Sequence, residues 1–338
     1  MNKLTKIGVS ALCGSLASVA GAHAGELSVA GGATATYSSN EGSVTGNPIG
    51  MSSGITFTGS GELDNGTTFT LTITNTDQSA YSASSIALVT PSLGTFTIDQ
   101  GAGGSGIDRY DDKMPTAWEE TTGTSLGTGL QTVAGVAGHA NIDWNISPDM
   151  LPDGFTAALA FTPKAGGLGA NDKASTGSSN EAMGAGYDIA LSYSGYEGIN
   201  IFGGYSNIEQ ATEDFLDDRT QYVLGATYAV GMVTVGYQWS RDNLNDRNDG
   251  TSFYENDAFG INFAINDDLS ISYGQHKSKR GLMSGANSVT NTAESLQLAY
   301  TMGGASIKIA ESSVDNASYV STTTHDRDGT TIALSLAF

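Results

Sequence analysis

The chain has 338 residues, of which only 14% are charged and 45 are glycine, whereas charged residues make up about 25% of an average soluble domain. Its formal net charge is −21, and a surface this acidic repels the phosphates of nucleic acid, so no nucleic-acid partner is expected. No segment reaches the roughly 18 consecutive apolar residues that a membrane-spanning helix requires.

Residues 1–24 have the composition of a secretory signal. Lys3 and Lys6 precede a short apolar stretch and then small residues, and this order predicts cleavage after position 24. The single cysteine, Cys13, lies inside this segment and follows a bulky leucine, which disfavours a lipoprotein signal. The mature chain, 25–338, would therefore carry no disulfide and no thiolate metal site.

From position 25 onward, the segments alternate large apolar residues with small or polar ones, which is the period of a β-strand. In TFTLTIT, Phe69, Leu71 and Ile73 fall on one face and the threonines on the other. The final stretch TTIALSLAF repeats the pattern with Ile332, Leu334, Leu336 and Phe338. The alternation predicts strands with one apolar face throughout the chain.

The connections between these segments are alternately short and long. Seven short turns are rich in the residues that tight hairpins need, and they lie at 64–66, 91–94, 148–154, 195–198, 230–231, 266–268 and 303–304. Eight longer polar connections lie near 38–50, 75–83, 101–138, 164–183, 206–218, 241–256, 277–292 and 313–327. This order requires about sixteen strands.

An apolar sheet face must be covered, either by a second sheet or by lipid. In a membrane every backbone polar group must be paired and no strand edge can remain, which requires a closed barrel. An even number of strands, short turns at one end and long loops at the other are typical of such barrels. We therefore predict an all-β fold, a 16-stranded antiparallel transmembrane β-barrel, in preference to a soluble sandwich.

At this point the sequence resembles the trimeric general porins of Gram-negative outer membranes, of the alphaproteobacterial type. The resemblance rests on GELSVAGGATATYSS, GSGELDNGTTFTLTI, SLGTFTIDQG and the terminal Phe338, together with the order of turns and loops. It implies a homotrimer in the outer membrane, in contact with lipid and lipopolysaccharide, with short periplasmic turns and long extracellular loops. It also implies passive diffusion of small hydrophilic solutes and ions, with no catalytic activity and no required cofactor.

The resemblance further implies that the third long loop, residues 101–138, folds into the barrel and narrows it. This loop contains DRYDDKMPTAWEE, in which acids outnumber bases. We expect the constriction to be lined by Asp108, Arg109, Asp111, Asp112, Lys113, Glu119 and Glu120. Oxygen ligands suit calcium, and we predict a calcium site formed by Asp111, Asp112, Glu119 and Glu120.

Charged residues on the polar face of several strands are expected to line the lumen wall. They are Asp99, Asp143, Asp188, Arg219 and Lys308. Lys308 lies between two outward isoleucines in ASIKIAE, and a lysine facing lipid near mid-depth would cost about 2–4 kcal/mol. The family often sets arginines on early strands against the acidic loop, yet no Lys or Arg occurs between Lys6 and Arg109. We therefore predict a preference for cations.

Aromatic residues on the outward face predict which strands meet lipid, because Tyr and Trp collect at the lipid headgroups. Later strands supply Tyr187, Tyr193, Tyr205, Tyr222, Tyr228, Tyr237, Trp239, Tyr273 and Tyr300. The first five strands offer little beyond Tyr37. We predict that these five strands and the last one form the subunit interface.

Other interpretations are weaker. Gly101, Gly103 and Gly106 fit G-x-G-x-x-G, but no amphipathic helix follows them, so a nucleotide site is not expected. His139, His276 and His325 show no zinc spacing, and nothing orients a Ser-His-Asp triad. A substrate-selective channel of the same fold, or a secreted β-rich adhesin or structural protein, remains as an alternative function.

Overall fold

The fold is taken from a computed structural model of the chain. It describes residues 25–41, 47–77, 83–124, 126–165, 183–211, 213–247, 250–285 and 288–337. The predicted signal segment and Phe338 lie outside these residues.

Within the described ranges, sixteen antiparallel strands close into one barrel, in which each strand pairs with its sequence neighbours and β16 pairs with β1. The strands are β1 Leu27–Asn40, β2 Ile49–Glu62, β3 Thr68–Thr76, β4 Ala83–Thr90, β5 Gly94–Gln100, β6 Asn141–Ile146, β7 Phe155–Thr162, β8 Met183–Tyr193, β9 Ile199–Gln210, β10 Arg219–Val230, β11 Val233–Asn243, β12 Thr251–Ala264, β13 Leu269–Leu282, β14 Val289–Met302, β15 Ala305–Asp315 and β16 Arg327–Ala337. The predicted fold class is confirmed.

The alternation of the sequence decides which way each side chain points. Outward positions carry exposed apolar residues, such as Phe57 on β2, Leu224 on β10 and Ile332 on β16. The intervening positions point into the barrel and carry small or polar side chains, as Thr56 and Thr331 do. The barrel thus presents its apolar surface to the outside and its polar surface to the lumen.

The outward aromatic residues form two contacting groups on β7 to β10. Tyr205 lies between Tyr187 and Tyr222, with ring centroids 6.1 and 5.2 Å apart. Nearer the short turns, Tyr193 contacts Phe155 at 4.7 Å and Tyr196 at 6.0 Å. On β5 and β6, Phe96 stacks on Trp144 at 5.5 Å. The aromatic surface therefore begins at the edge of the first five strands.

Several long connections are shorter than predicted, and those predictions were wrong in extent. β11 continues to Asn243, and β12 and β13 continue through the positions that had been assigned to loops at 241–256 and 277–292. Several outward side chains there are charged, and Glu255 lies opposite Lys279 across the strand pair. A change from apolar to charged outward residues resembles a loop in sequence, but the backbone pairing continues.

The helical segments are short 3-10 turns, at Gly106–Tyr110, Pro148–Met150, Ala317–Tyr319 and Thr323–His325. Over the parts of the chain that the structure describes, no helix is long and apolar enough to span a membrane.

Candidate functional site

The third long connection, residues 101–140 between β5 and β6, is called loop 3 here, and it folds into the barrel. Ile107 and Val133 of the loop are fully buried in a cluster with Phe202 and Val223 of the inner wall. The ring of Tyr110 stacks on Phe202 with centroids 5.0 Å apart. Apolar side chains on the inner wall of β9 and β10 therefore mark where the loop is packed against it.

Three wall carboxylates hold the two ends of loop 3. Asp143, 3% exposed, accepts the backbone N–H of Gly106 at 2.8 Å and binds Nη2 of Arg109 at 2.7 and 2.9 Å. Asp188, 1% exposed, accepts the N–H groups of Ile107 at 3.0 Å and Val136 at 3.1 Å. These carboxylates lie on the inner wall, where loop 3 covers them.

Asp99 acts in the same way at the start of the loop, where it accepts the N–H of Ala102 at 2.8 Å and the hydroxyl of Ser105 at 3.1 Å. Two glycines allow the loop to approach Asp188 closely. Gly106 and Gly135 both have φ +54, and a Cβ on either would overlap the Asp188 carboxylate. Glycine is required there by both backbone conformation and space.

The middle of loop 3 packs against a row of glycines on the inner wall. A Cβ at Gly236 would lie 2.7 Å from Cδ of Pro115, and a Cβ at Gly260 would lie 2.8 Å from the Pro115 carbonyl oxygen. A Cβ at Gly274 would overlap the hydroxyl of Thr121. The absence of side chains at these positions lets the loop lie directly against β11 to β13.

Two buried glutamines fix the loop backbone. Oε1 of Gln297 accepts the N–H groups of Trp118 at 3.1 Å and Glu119 at 3.0 Å, and its Nε2 donates to the carbonyl of Glu119 at 2.7 Å. Oε1 of Gln221 accepts the N–H groups of Ala134 at 2.9 Å and Gly135 at 2.8 Å. Sequence reasoning missed both; their only signal is a long amide side chain at an inward position.

The acids of loop 3 are less covered than the wall carboxylates. Glu119 is exposed, and the side chains of Asp112 and Lys113 are 51% and 41% exposed with 3.7 Å between their charged atoms. Burial, and after it the nearby negative charges of Asp108, Asp112 and Glu120, raise the pKa of Asp111 to about 7. Burial also raises the pKa of Asp108 and of Glu120. The loop therefore concentrates negative charge.

Basic side chains are mostly neutralised or set apart. Arg109, predicted to line the constriction, pairs with Asp143 against the wall. Arg219 pairs with Asp242 at 2.7 Å. Lys308 points inward, and its Nζ lies 5.9 Å from the ring centroid of Trp118. Lys113 remains directly beside the acids of the loop.

The four acids predicted to bind calcium do not form a closed ligand set. Among the described residues, no three His, Cys, Asp or Glu side chains are arranged to hold a metal ion. The calcium site stays a prediction.

The inner face of β1 to β4 carries hydroxyl groups. Thr34 contacts Ser335 at 2.9 Å, and Thr56 contacts Thr74 at 3.2 Å. These side chains are half-buried, whereas inward residues such as Gln221 are fully covered. The open path through the barrel therefore runs along β1 to β4, with loop 3 on its other side.

A closed sixteen-stranded barrel, apolar outside and polar inside, with a loop folded into its lumen, defines a membrane channel. The sequence profile described as Gram-negative porin matches residues 8–338, and the chain belongs to that family. A comparison with curated protein sequences finds no match.

Several solved structures have a similar fold. The chain is similar to Salmonella typhi OmpF, in its complex with daunomycin, at 15% identity and a TM-score of 0.68, over 93% of this chain and 98% of that one. It is similar to a trimer form of Vibrio cholerae OmpT at 11% identity and TM-score 0.65, over 93% and 100%. It is also similar to an anion-selective porin from Comamonas acidovorans at 11% identity and a TM-score of 0.64, over 93% of this chain and 100% of that one.

The chain is thus an outer-membrane β-barrel that forms a channel for passive diffusion of small hydrophilic solutes. The secreted adhesin alternative is excluded. The alphaproteobacterial branch stays a prediction.

Proposed function

We propose that this channel prefers cations and that the acids of loop 3 set the preference. The observation that carries the proposal is the charge on the two sides of the open path. Loop 3 supplies five acids, Asp108, Asp111, Asp112, Glu119 and Glu120, with Arg109 already paired to the wall. The facing strands β1 to β4 supply hydroxyl groups and no Lys or Arg.

The electrostatic energy between a passing ion and these acids is large enough to produce the preference. The Debye length is about 8 Å at physiological salt, so charges within a constriction a few ångströms across are little screened. At 4 Å and an effective dielectric constant near 20, one ion–carboxylate contact is on the order of 4 kcal/mol before desolvation. A tenfold bias between ions requires only about 1.4 kcal/mol.

The test is the zero-current potential of purified channels in a planar bilayer under a potassium chloride gradient. We expect a cation-selective wild type and a loss of selectivity in Asp111→Asn with Asp112→Asn. The matched control, Asp149→Asn in an exposed short turn, should behave as wild type. An anion-selective wild type, or a double variant with an unchanged potential, would contradict the proposal.

We also propose calcium binding by Asp111, Asp112, Glu119 and Glu120, whose side chains would move together around the ion, with water completing the coordination shell. The support is electrostatic, since Asp112 and Glu120 lie close enough to Asp111 to raise its pKa. Calcium bound there would lower cation selectivity, and a chelator would restore it. If calcium acts equally on the wild type and on Asp111→Asn with Asp112→Asn, it does not bind there.

The assembly we propose is a homotrimer in which β1 to β5 and β16 meet the neighbouring subunits. The outward residues of these strands are apolar and exposed in the single chain, Met51 at 76% and Ile98 at 51%. The aromatic groups that mark a lipid-facing wall lie on β7 to β10 instead. An apolar wall that carries few Tyr or Trp residues at its rims suits contact with protein.

We propose that lipopolysaccharide contacts the outer wall of β11 to β13. Arg241 and Lys277 face outward, four residues beyond Tyr237 and Tyr273 on the same strands. Nη1 of Arg241 pairs with Glu255 at 2.7 Å. Basic groups at headgroup depth would meet phosphate. Lys277→Gln with Lys279→Gln should reduce copurified lipopolysaccharide, whereas the inward control Lys308→Gln should not.

A further inference from the structure

The connection between β15 and β16, residues 316–326, is called loop 8 here, and it turns inward over the lumen. Ala317 is fully buried and Tyr319 is 7% exposed. The ring of Tyr319 lies 5.0 Å from that of Tyr254, an inward residue of β12. Part of an otherwise polar loop is thus packed inside the barrel.

Loop 8 is bonded to the far part of loop 3, residues 126–131, which we call the distal limb. The backbone N–H of Ser318 donates to the carbonyl of Thr128 at 2.8 Å. The hydroxyl of Tyr319 accepts the N–H of Gln131 at 2.9 Å and bonds to the hydroxyl of Ser278 at 2.7 Å. Tyr319 therefore joins the distal limb to β13.

Residues beside loop 8 complete this contact. Nη1 of Arg327 donates to the carbonyls of Leu126 and Gly127, both at 2.9 Å. Leu126, Val314 and Ala317 are each at most 2% exposed and form an apolar cluster within the lumen. Apolar side chains buried inside a polar channel gain their stabilisation from each other, so the two loops form one packed unit.

The backbone of loop 8 adopts conformations that it would not keep alone. Asn316, Ser318 and Tyr319 have φ values of 56°, 55° and 59°. Non-glycine residues in this left-handed region persist only where the surroundings fix them. The contacts to the distal limb and to β13 are what fix them here.

We propose that loop 8 is a second element of the constriction, which holds the distal limb of loop 3 against β14 to β16 and so keeps the path along β1 to β4 open. Tyr319 and Arg327 are its positioning residues. When the hold is lost, the limb moves into the path and the conductance falls to lower levels.

The experiment is single-channel recording of Tyr319→Phe, which keeps the ring and removes the hydroxyl. The ratio of lower-conductance to open time should rise about fivefold, the change expected from losing one net hydrogen bond. Arg327→Gln is a second variant with the same expected result, and Tyr196→Phe in an exposed short turn is the control. Wild-type recordings from correctly folded Tyr319→Phe and Arg327→Gln would overturn the proposal.

A tether separates this role from general destabilisation. The hydroxyl oxygens of Thr124, two residues before the distal limb, and of Ser312 on β15 are 2.6 Å apart, so an oxidised pair of cysteines at these positions would fix the start of the limb against the wall. In Tyr319→Phe, the oxidised tether should return the recordings to the wild-type pattern, and reduction should bring the lower levels back. If the disulfide forms and the lower levels persist unchanged, displacement of the limb from β15 does not cause them, and the proposal is wrong.

Discussion

At the scale of single residues, the ionisation of Asp111 makes selectivity depend on pH. Burial and neighbouring acids raise its pKa to about 7, so it is mostly protonated below that pH and ionised above it. The charged groups beside it are Asp108, Asp112, Glu120 and Lys113 of the loop. Because the ionised form attracts cations, cation selectivity should increase as the pH rises through about 7.

The measurement is the zero-current potential at a series of pH values. Asp111→Asn should flatten the curve near neutral pH and leave the rest of the curve unchanged. An identical curve in the variant would assign the pH dependence to another group.

The wall glycines give a second prediction at this scale. Gly260→Ala places a methyl group against Pro115 and should push loop 3 towards the open path, lowering single-channel conductance. Overpacking of this kind costs about 1–3 kcal/mol, so the temperature at which the folded barrel is lost should also fall. The matched control is Gly54→Ala on the inner face of β2, where the added Cβ has no neighbour closer than 3.8 Å. Equal effects of the two substitutions would contradict the interpretation that loop 3 packs closely against the wall because glycines lie there.

At the scale of elements, the two buried glutamines Gln221 and Gln297 allow the backbone of loop 3 to be perturbed without removing any charge of the loop. Gln297→Leu keeps the size of the side chain but leaves the N–H groups of Trp118 and Glu119 without their acceptor. Unsatisfied buried groups cost about 1–3 kcal/mol each, so the segment should detach. We expect noisier conductance and faster proteolysis within loop 3, with Gln275→Leu as the outward-facing control. A quiet, protease-resistant variant would show that the clamp is dispensable.

The elements also show how far the sequence could lead. Strands such as β3 were predictable because lipid and water on opposite faces impose alternation on Phe69, Leu71 and Ile73. The position of loop 3 followed from its length and the family resemblance. The contact between Asp188 and Ile107 was not predictable, because 81 residues separate them and only the closed barrel brings them together. Similarly, the start of β12 and the end of β13 were not predicted as strand, because their outward residues are charged and the apolar alternation is lost there.

At the scale of the whole molecule, the proposed trimer interface is testable by cross-linking in native membranes. The chain's single cysteine, Cys13, lies in the predicted signal, so introduced cysteines are unique. Phe57→Cys or Leu71→Cys should join neighbouring subunits. Leu224→Cys, 59% exposed on β10, should not. Cross-linking at Leu224 instead of the early strands would place the interface elsewhere.

The central claim is that the acids of loop 3 line the conducting path, and the most direct measurement is charge modification at Asp112. In Asp112→Cys, a thiol reagent that carries a positive charge should reduce the current in discrete steps and shift the zero-current potential towards anions. The same reagent on Asp149→Cys, in an exposed short turn, should change neither quantity. Complete labelling at position 112 with unchanged current and potential would contradict the account.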